Sequence, residues 1–177
     1  HAQSLGLYKE QIIPVQLGTK SINEDNSIRP DTTFEKLSEL KPVFDCKGVI
    51  TAGNSSRFTD GAGAVLLGSM KSVKQHDLTP QLIIRDYLAT GVGSLHTEML
   101  LGPALTIPKL LERNKLKFED IGVWELHEAF ASQVLINLKC MRSRRFINDR
   151  FGKSTPHGDI PMEQLNAHGG SLAMGNP

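Results

Sequence analysis

The chain has 177 residues, of which 39% are hydrophobic and 22% are charged, and this composition is typical of a globular protein rather than a disordered one. A formal net charge of +1 gives no indication of a nucleic-acid partner or of a polybasic contact with a membrane. No apolar run reaches the length of a bilayer span, and no signal peptide is recognisable. Two cysteines, Cys46 and Cys140, are too few for a disulfide framework and indicate a reducing compartment.

The beginning of the chain is predicted to be mainly loop. An extended segment is expected over 12–17, and Thr32 or Thr33 is predicted to cap a short helix that continues through Leu40. Pro42 should end that helix, because the residue before a proline is disfavoured in the helical region.

A block of small residues follows. We predict a short strand over 49–51, a turn over 53–56 and a buried strand over 64–67. Glycine, asparagine and serine side chains in the turn are small, so a ligand or another backbone segment can approach closely. Such turns most often reflect only tight local packing, and the pattern alone leaves both interpretations open.

Helices and a strand are predicted to alternate in the middle of the chain. A helix is predicted over 69–76, a strand over 81–90, and a polar loop over 91–98. A helix over 102–114 is indicated by its apolar spacing, and Pro108 is expected to break or kink it.

The stretch from 122 to 141 places a histidine at a predicted junction. An apolar strand over 123–126 should meet an amphipathic helix, with His127 at the turn and Glu128 in the first helical turn. Ligands collect at such strand ends in open α/β sheets, and the helix dipole should favour a neutral imidazole there. A histidine that serves only as a helix cap or packing group is the alternative.

The remaining elements complete the predicted fold class. Ser143 should cap a short basic helix that ends near Phe151, and a loop should cover 152–164. Strands separated by helices predict an α/β layered architecture with parallel pairing. No phosphate-binding loop, dinucleotide fingerprint, metal-ligand spacing or hydrolase elbow is present, and neither cysteine has a base nearby in the sequence.

Three separated blocks resemble the thiolase family. T-A-G-N-S-S at 51–56 is followed by T-D-G-A-G-A-V-L-L at 59–67, H-E-A-F-A lies at 127–131, and N-A-H-G-G-S-L-A-M-G-N-P lies at 166–177. The histidine of H-E-A-F, the insert that precedes the third block and L-G-P-A at 101–104 are most similar to the β-oxidation branch, which includes the thiolase subunit of the fatty-acid oxidation complex. Accidental matches in a general α/β binding domain are the remote alternative.

The resemblance implies a partial thiolase fold, in which layered βαβαβ halves carry helices packed on mixed sheets. Residues 1–47 would be the end of a loop region, 48–70 the last part of the amino-terminal half, and 71–177 the first part of the carboxyl-terminal half. We therefore expect a piece of a larger protein, incomplete at both ends, that lacks sheet partners and exposes apolar surface.

The resemblance also implies the chemistry of an acetyl-CoA C-acyltransferase, which cleaves 3-ketoacyl-CoA with CoA or runs the reverse condensation. Coenzyme A would be a substrate, with no metal and no other cofactor. His127 would hold the water of an oxyanion hole, and the other positions implied at the site are Ala52, Ser56 and Gly170 along CoA, Phe130 in the acyl pocket, and Asn176 at the position of the family histidine. The two family cysteines would lie outside this chain, so the segment alone is expected to be inactive.

Asn176 is a departure from the family pattern G-H-P. An amide can donate a hydrogen bond to an oxyanion but cannot accept a thiol proton as a base. A thiolase-like protein that binds CoA or assembles a complex without catalysis is therefore a second hypothesis. Implied partners are further copies of the chain and a hydratase/dehydrogenase subunit, and the implied compartment is the bacterial cytoplasm or the mitochondrial matrix.

Overall fold

The computed structural model describes residues 1–177, the whole chain. It contains a two-stranded hairpin, seven helices and three short 3₁₀ turns. In chain order they are β1 Val15–Leu17, β2 Lys20–Ile22, α1 Phe34–Ser38, the turn Ala52–Asn54, α2 Met70–Gln75, α3 Leu95–Glu98, α4 Gly102–Arg113, the turn Phe118–Asp120, α5 Ala131–Arg142, α6 Arg144–Phe151, the turn Met162–Gln164 and α7 Ser171–Met174. None of these helices has the length and apolar character needed to cross a bilayer.

The hairpin is antiparallel, with Val15 opposite Ile22 and Leu17 opposite Lys20. Gly18 begins the two-residue turn with a φ of +61°, a conformation that a residue with a side chain rarely adopts. The extended segment predicted over 12–17 is thus confirmed in its second half, where β1 forms. Its partner strand, β2, was not predicted from the sequence.

Several helix starts agree with the sequence. The hydroxyls of Thr33, Ser69 and Ser143 each accept a backbone N–H of the first turn, at the starts of α1, α2 and α6 respectively. α6 ends at Gly152, which has a φ of +64° as a left-handed helix end requires. The loop predicted over 91–98 is wrong in its second half, because α3 forms there.

The hydrophobic core lies between α4 and α5 and the turns that follow each of them. Its buried members are Ala104, Leu111, Phe118, Trp124, Val134, Leu138, Met141 and Ile160. Phe118 stacks on Trp124 with ring centroids 5.3 Å apart. α4 continues through Pro108, so the predicted break is wrong, whereas the kink stays a prediction. The ring of Pro108 is buried, and this burial offsets the hydrogen bond that a proline cannot donate.

Asn137 of α5 joins two elements inside this core. Its side chain is fully buried, its Oδ1 accepts the N–H of Ala104 at 2.8 Å, and its Nδ2 donates to the carbonyls of Leu100 and Gln133, each at 2.8 Å. The bond to Ala104 satisfies one of the N–H groups that the first turn of a helix leaves without a partner. Asn137 therefore fixes where α4 begins.

The strands predicted over 49–51, 64–67 and 81–90 do not form, and 123–126 is reduced to a single parallel bridge between Trp124 and Leu165. A strand satisfies its backbone groups only by pairing with another strand. No other segment of this chain forms a strand ladder with 64–67 or 81–90, and the apolar side chains there, including Val65 at 85% and Leu82 at 91% exposure, face solvent. The expected exposure of apolar surface is therefore observed.

Candidate functional site

The third motif block is held beside the second through the side chain of Asn166. The backbone N–H of Trp124 donates to the carbonyl of Gln164 at 2.9 Å, and the N–H of Asn166 donates to the carbonyl of Trp124 at 2.8 Å. The amide of Asn166 then bonds both backbone groups of Leu126, accepting its N–H at 2.8 Å and donating to its carbonyl at 2.9 Å. The Asn166 side chain thus bonds the backbone of Leu126 as a neighbouring strand would, next to the bridge between Trp124 and Leu165.

The first block lies beside the second through backbone contacts. The N–H of Ser56 donates to the carbonyl of Ala129 at 2.9 Å, and Ser55 forms an antiparallel bridge with Phe130. Within the first block, the hydroxyl of Ser55 donates to the carbonyl of Thr51 at 2.7 Å, which keeps the small-residue turn closed. The turn therefore serves the close approach of another backbone segment, one of the two interpretations left open by the sequence.

The first and third blocks also touch each other. A Cβ added at Gly175, whose φ is +79°, would lie 2.3 Å from the hydroxyl oxygen of Thr59. A Cβ at Gly61 would lie 2.6 Å from the ring of Pro177. Glycine is thus required at both positions because the two segments are packed in direct contact.

His127 lies between the blocks, but not in the setting that the sequence predicts. α5 begins at Ala131, so His127 and Glu128 precede the helix and neither lies in its first turn. The predicted effect of the helix dipole on the imidazole is therefore wrong, since that field acts only within about one turn, and His127 is not the helix cap. Instead, its Nδ1 lies 2.6 Å from the Ser171 hydroxyl oxygen, and its Nε2 lies 3.4 Å from the amide nitrogen of Asn176.

Glu128 binds the glycine-rich segment of the third block. One carboxylate oxygen accepts the amide of Asn166 at 2.6 Å, and the other accepts the backbone N–H of Leu172 at 3.1 Å. A Cβ at Gly170 would lie 2.3 Å from that second oxygen, so only glycine permits this approach. The role of Gly170 along CoA stays a prediction; the structure shows that this glycine makes room for Glu128.

Phe130 and Ala52 occupy different surroundings. The ring of Phe130 meets that of Phe44 edge to face, with centroids 6.2 Å apart, at one wall of a largely apolar cavity of about 380 Å³. The half-buried Ser132 and the buried Gln133 add polar groups to its lining. Ala52 is exposed in the turn Ala52–Asn54. Its neighbours Ser55 and Ser56, rather than Ala52 itself, contact the second block.

The cysteines have no role in this arrangement. Cys140 lies in the last turn of α5 against the core, and burial raises the pKa of its thiol, which disfavours the reactive thiolate. Cys46 is exposed in a loop. No cluster of three or more histidine, cysteine, aspartate or glutamate side chains has the geometry of a metal site.

The sequence predicts site roles for His127, Asn176, Gly170, Ser56 and Phe130, and these roles stay predictions; the structure places the five residues in or beside the second block. Ser171 was not singled out from the sequence, and the roles of Asn166 and Glu128 were not predicted. The hydrogen bonds of these three residues join positions about forty residues apart in the chain. The only signal for these residues in the sequence is that Glu128 lies in the second motif block and that Asn166 and Ser171 lie in the third.

Comparison with known families agrees with this geometry. Residues 1–71 match the model of the thiolase N-terminal domain, and residues 78–177 match that of the thiolase C-terminal domain. The chain belongs to the thiolase family. The probable 3-ketoacyl-CoA thiolase of Caenorhabditis elegans is 43% identical over 170 residues, and the 3-ketoacyl-CoA thiolase of Photobacterium profundum is 41% identical over 157 residues. The matches include 94% and 88% of this chain but only 38% and 36% of those proteins.

Solved thiolases follow the same backbone path. The human mitochondrial 3-ketoacyl-CoA thiolase in complex with CoA superimposes with a TM-score of 0.81 at 32% identity, covering 99% of this chain and 40% of that one. The dimeric peroxisomal thiolase of Saccharomyces cerevisiae gives a TM-score of 0.81 at 33% identity, covering 98% of this chain and 40% of that one. The predicted partial thiolase fold is therefore confirmed.

Proposed function

We propose that this chain is a segment of a 3-ketoacyl-CoA thiolase, an acetyl-CoA C-acyltransferase that acts in fatty-acid β-oxidation. The observation that carries the proposal is the convergence of the first and third motif blocks on the second, which contains His127, through side-chain and backbone hydrogen bonds. The chain spans less than two fifths of the curated relatives cited above, so the complete reaction belongs to the whole protein. Thiolysis would need a cysteine nucleophile and a second cysteine that moves the α-carbon proton, and neither Cys46 nor Cys140 suits these roles.

Within that reaction, the segment would contribute the oxyanion side of the active site. Preorganised donors aimed at the thioester oxygen stabilise the charge that develops there. His127 would hold a water or donate directly, and the amide of Asn176, 3.4 Å from its ring, would supply a second donor. Phe130 would line the acyl pocket, and the small residues Ala52, Ser56 and Gly170 would allow close approach of CoA.

The organisation of the whole protein is part of this proposal. The family matches to 1–71 and 78–177 support a change from the amino-terminal to the carboxyl-terminal half near residue 70, with 1–47 as the end of a loop region. The yeast relative, described as dimeric, supports a homo-oligomer. A hydratase/dehydrogenase subunit would be a further partner, and the compartment would be the bacterial cytoplasm or the mitochondrial matrix, since bacterial and mitochondrial thiolases are among the relatives.

The contact between Asn176 and His127 favours a second candidate function, a thiolase-like protein that binds CoA without catalysis. Where the family pattern places a histidine, an amide lies against the imidazole. The amide cannot take the thiol proton, so activation of the nucleophile would have no base at this position.

Thiolysis of acetoacetyl-CoA by the longest polypeptide that carries this segment separates the two candidates. The substitution Asn176→His restores a base and is expected to raise kcat by about 10²-fold or more, the usual contribution of general base catalysis. Asn148→His is the matched control, because Asn148 is exposed on α6 and its side chain makes no contact with the site. CoA binding without thiolysis in either variant would support the non-catalytic candidate and contradict the enzyme.

A further inference from the structure

The hydroxyl of Ser171 lies between a backbone donor and the imidazole of His127. Its oxygen is 2.6 Å from Nδ1 of His127 and 3.4 Å from the backbone nitrogen of Glu128. The Glu128 nitrogen can only donate, so at that contact the serine oxygen acts as an acceptor. The direction of the shorter bond to the imidazole depends on where the serine proton points.

A count of the donors and acceptors within the protein favours one direction. The Ser171 hydroxyl has one proton, and the only acceptor within hydrogen-bond distance of its oxygen is the ring nitrogen Nδ1. If Nδ1 carried the imidazole proton, the serine oxygen would accept twice and its own proton would have no partner. A half-buried hydroxyl without an acceptor is unfavourable, so the arrangement in which Ser171 donates to Nδ1 satisfies more groups.

We propose that Ser171 is a positioning residue that sets the tautomer of His127, keeping Nδ1 unprotonated and the ring proton on Nε2. The neutral imidazole then presents an N–H toward Asn176; while no ligand oxygen is bound, the amide oxygen of Asn176 can accept this N–H after a half-turn of the amide group. The catalytic consequence of this tautomer rests on the proposed function, whereas the tautomer itself does not.

The position of Ser171 is fixed from both sides, which makes the hydroxyl a defined donor. The next residue, Leu172, donates its N–H to the Glu128 carboxylate at 3.1 Å. The preceding residue, Gly170, lies against that carboxylate and has room for no side chain. Because Glu128 follows His127 directly in the chain, the same residue aligns both partners of the hydroxyl–imidazole bond.

The tautomer has a chemical consequence at an oxyanion. With the proton on Nε2, a neutral ring donates a hydrogen bond outward and can stabilise developing negative charge or hold a water. With the proton on Nδ1, the ring would present a lone pair at the same place and repel that charge. Ser171 thereby allows a histidine to act as a donor without becoming charged.

The direct test is ¹⁵N NMR of the histidine ring nitrogens in the 177-residue chain, at about pH 8.5 where an ordinary imidazole is neutral. The signals of His127 are assigned by their loss in His127→Gln. We expect Nε2 to be the protonated nitrogen and Nδ1 the unprotonated one. A protonated Nδ1 in the unaltered chain would overturn the proposal.

Two nearly isosteric substitutions isolate the hydroxyl. Ser171→Thr retains it and should preserve the spectrum, whereas Ser171→Val removes it and should lower the ratio of the Nε2–H to the Nδ1–H form by about fivefold, the usual worth of one hydrogen bond. Identical His127 signals in the two variants would contradict the assignment of Ser171. The Thr variant also shows whether the site tolerates the extra methyl group without unfolding.

Kinetics in the longest polypeptide that carries this segment give a second readout. If that protein is a thiolase, Ser171→Val should lower kcat for acetoacetyl-CoA thiolysis by about tenfold with little change in KM, and Ser171→Thr should restore it. Equal kcat values in the two variants would count against the proposal. Absence of thiolysis in every variant would reject the proposed function, and the NMR result alone would then decide the tautomer.

Discussion

Residues 102–165 and residues 62–90 have comparable apolar content but behave differently. The first region contains ten of the eleven buried hydrophobic residues of the chain, and α4 and α5 pack against each other there. The second region contains one short helix, α2, and no buried residue. Leu82, Ile83 and Ile84 are each more than two thirds exposed.

The difference follows from how helices and strands satisfy their backbone. A helix makes its hydrogen bonds within itself, so a few helices can close a core from one stretch of chain. A strand needs a neighbour, and the apolar stretches of 62–90 have none in this chain. The accessible surface is 13932 Å², whereas a compact monomer of 19.5 kDa would expose about 8,500 Å². The excess agrees with the many exposed apolar side chains outside the core.

The largest effect that separates the two regions should come from Met141→Ala. Met141 is fully buried in the core, so truncation should lower the free energy of unfolding by about 2–5 kcal/mol. Leu82→Ala, at an exposed position, should change it by less than about 0.5 kcal/mol. Urea unfolding followed by the fluorescence of Trp124, the only tryptophan and a core residue, measures both. Equal losses would mean that the regions are not packed differently.

Removal of a single buried amide should have the next largest effect. Asn137→Ala leaves the Ala104 N–H and the Leu100 carbonyl without their partner inside the core, and should destabilise the packed region by about 1–3 kcal/mol. Asn148→Ala makes the same chemical change at an exposed position of α6 and should be nearly neutral. Circular dichroism melting curves give the comparison. A neutral Asn137→Ala would show that α4 does not depend on this amide.

Gly170→Ala tests how tightly the third motif block is joined to the packed region. The added methyl group would lie 2.3 Å from the Glu128 carboxylate, so we expect a loss of about 1–3 kcal/mol and of the bond to Leu172. Gly122→Ala meets no atom within 4 Å and serves as the matched control. Thermal unfolding reports the stability, and ¹⁵N NMR of His127 reports the site. Wild-type signals in Gly170→Ala would contradict the close packing.

The smallest expected effect concerns the one ion pair between residues 62–90 and residues 102–165. Arg113 of α4 forms an ion pair with Asp86 and, together with Asn114, holds the pKa of that carboxyl below its usual range. The pair therefore stabilises the folded chain above the ordinary carboxyl pKa of about 3.9, and this contribution is lost as the pH falls through the lowered pKa. Carbon-13 NMR titration should show the Asp86 midpoint rising toward the ordinary value in Arg113→Gln. An unchanged midpoint would mean that the pair does not form.

The sequence predicted those parts of the fold whose determinants are local. Spacing and capping residues located α2, α4 and α6 because a helix is specified by neighbours within one or two turns. The strands over 64–67 and 81–90 were predicted from the same kind of pattern, but apolar residues alone do not supply a pairing partner. Pro108 was misjudged because the burial of its ring depends on tertiary packing.

The site residues likewise fall into those that local motifs predict and those that depend on contacts between distant segments. His127 and Asn176 were predicted as site residues because they lie inside recognisable motif blocks. The hydroxyl of Ser171, the amide of Asn166 and the carboxylate of Glu128 act across the chain, and their partners depend on the path of residues 152–165. That path has no periodic pattern in the sequence, so no spacing rule reaches it.

Hydrogen–deuterium exchange of the 177-residue chain tests the contrast between the two regions most directly. Amides of α4 and α5 should exchange slowly, because they are protected by helical hydrogen bonds and by the buried core. Amides over 64–67 and 81–84 should exchange as fast as an unstructured chain, since no strand protects them. Strong protection over 64–67 or 81–84, or fast exchange throughout α5, would contradict the account.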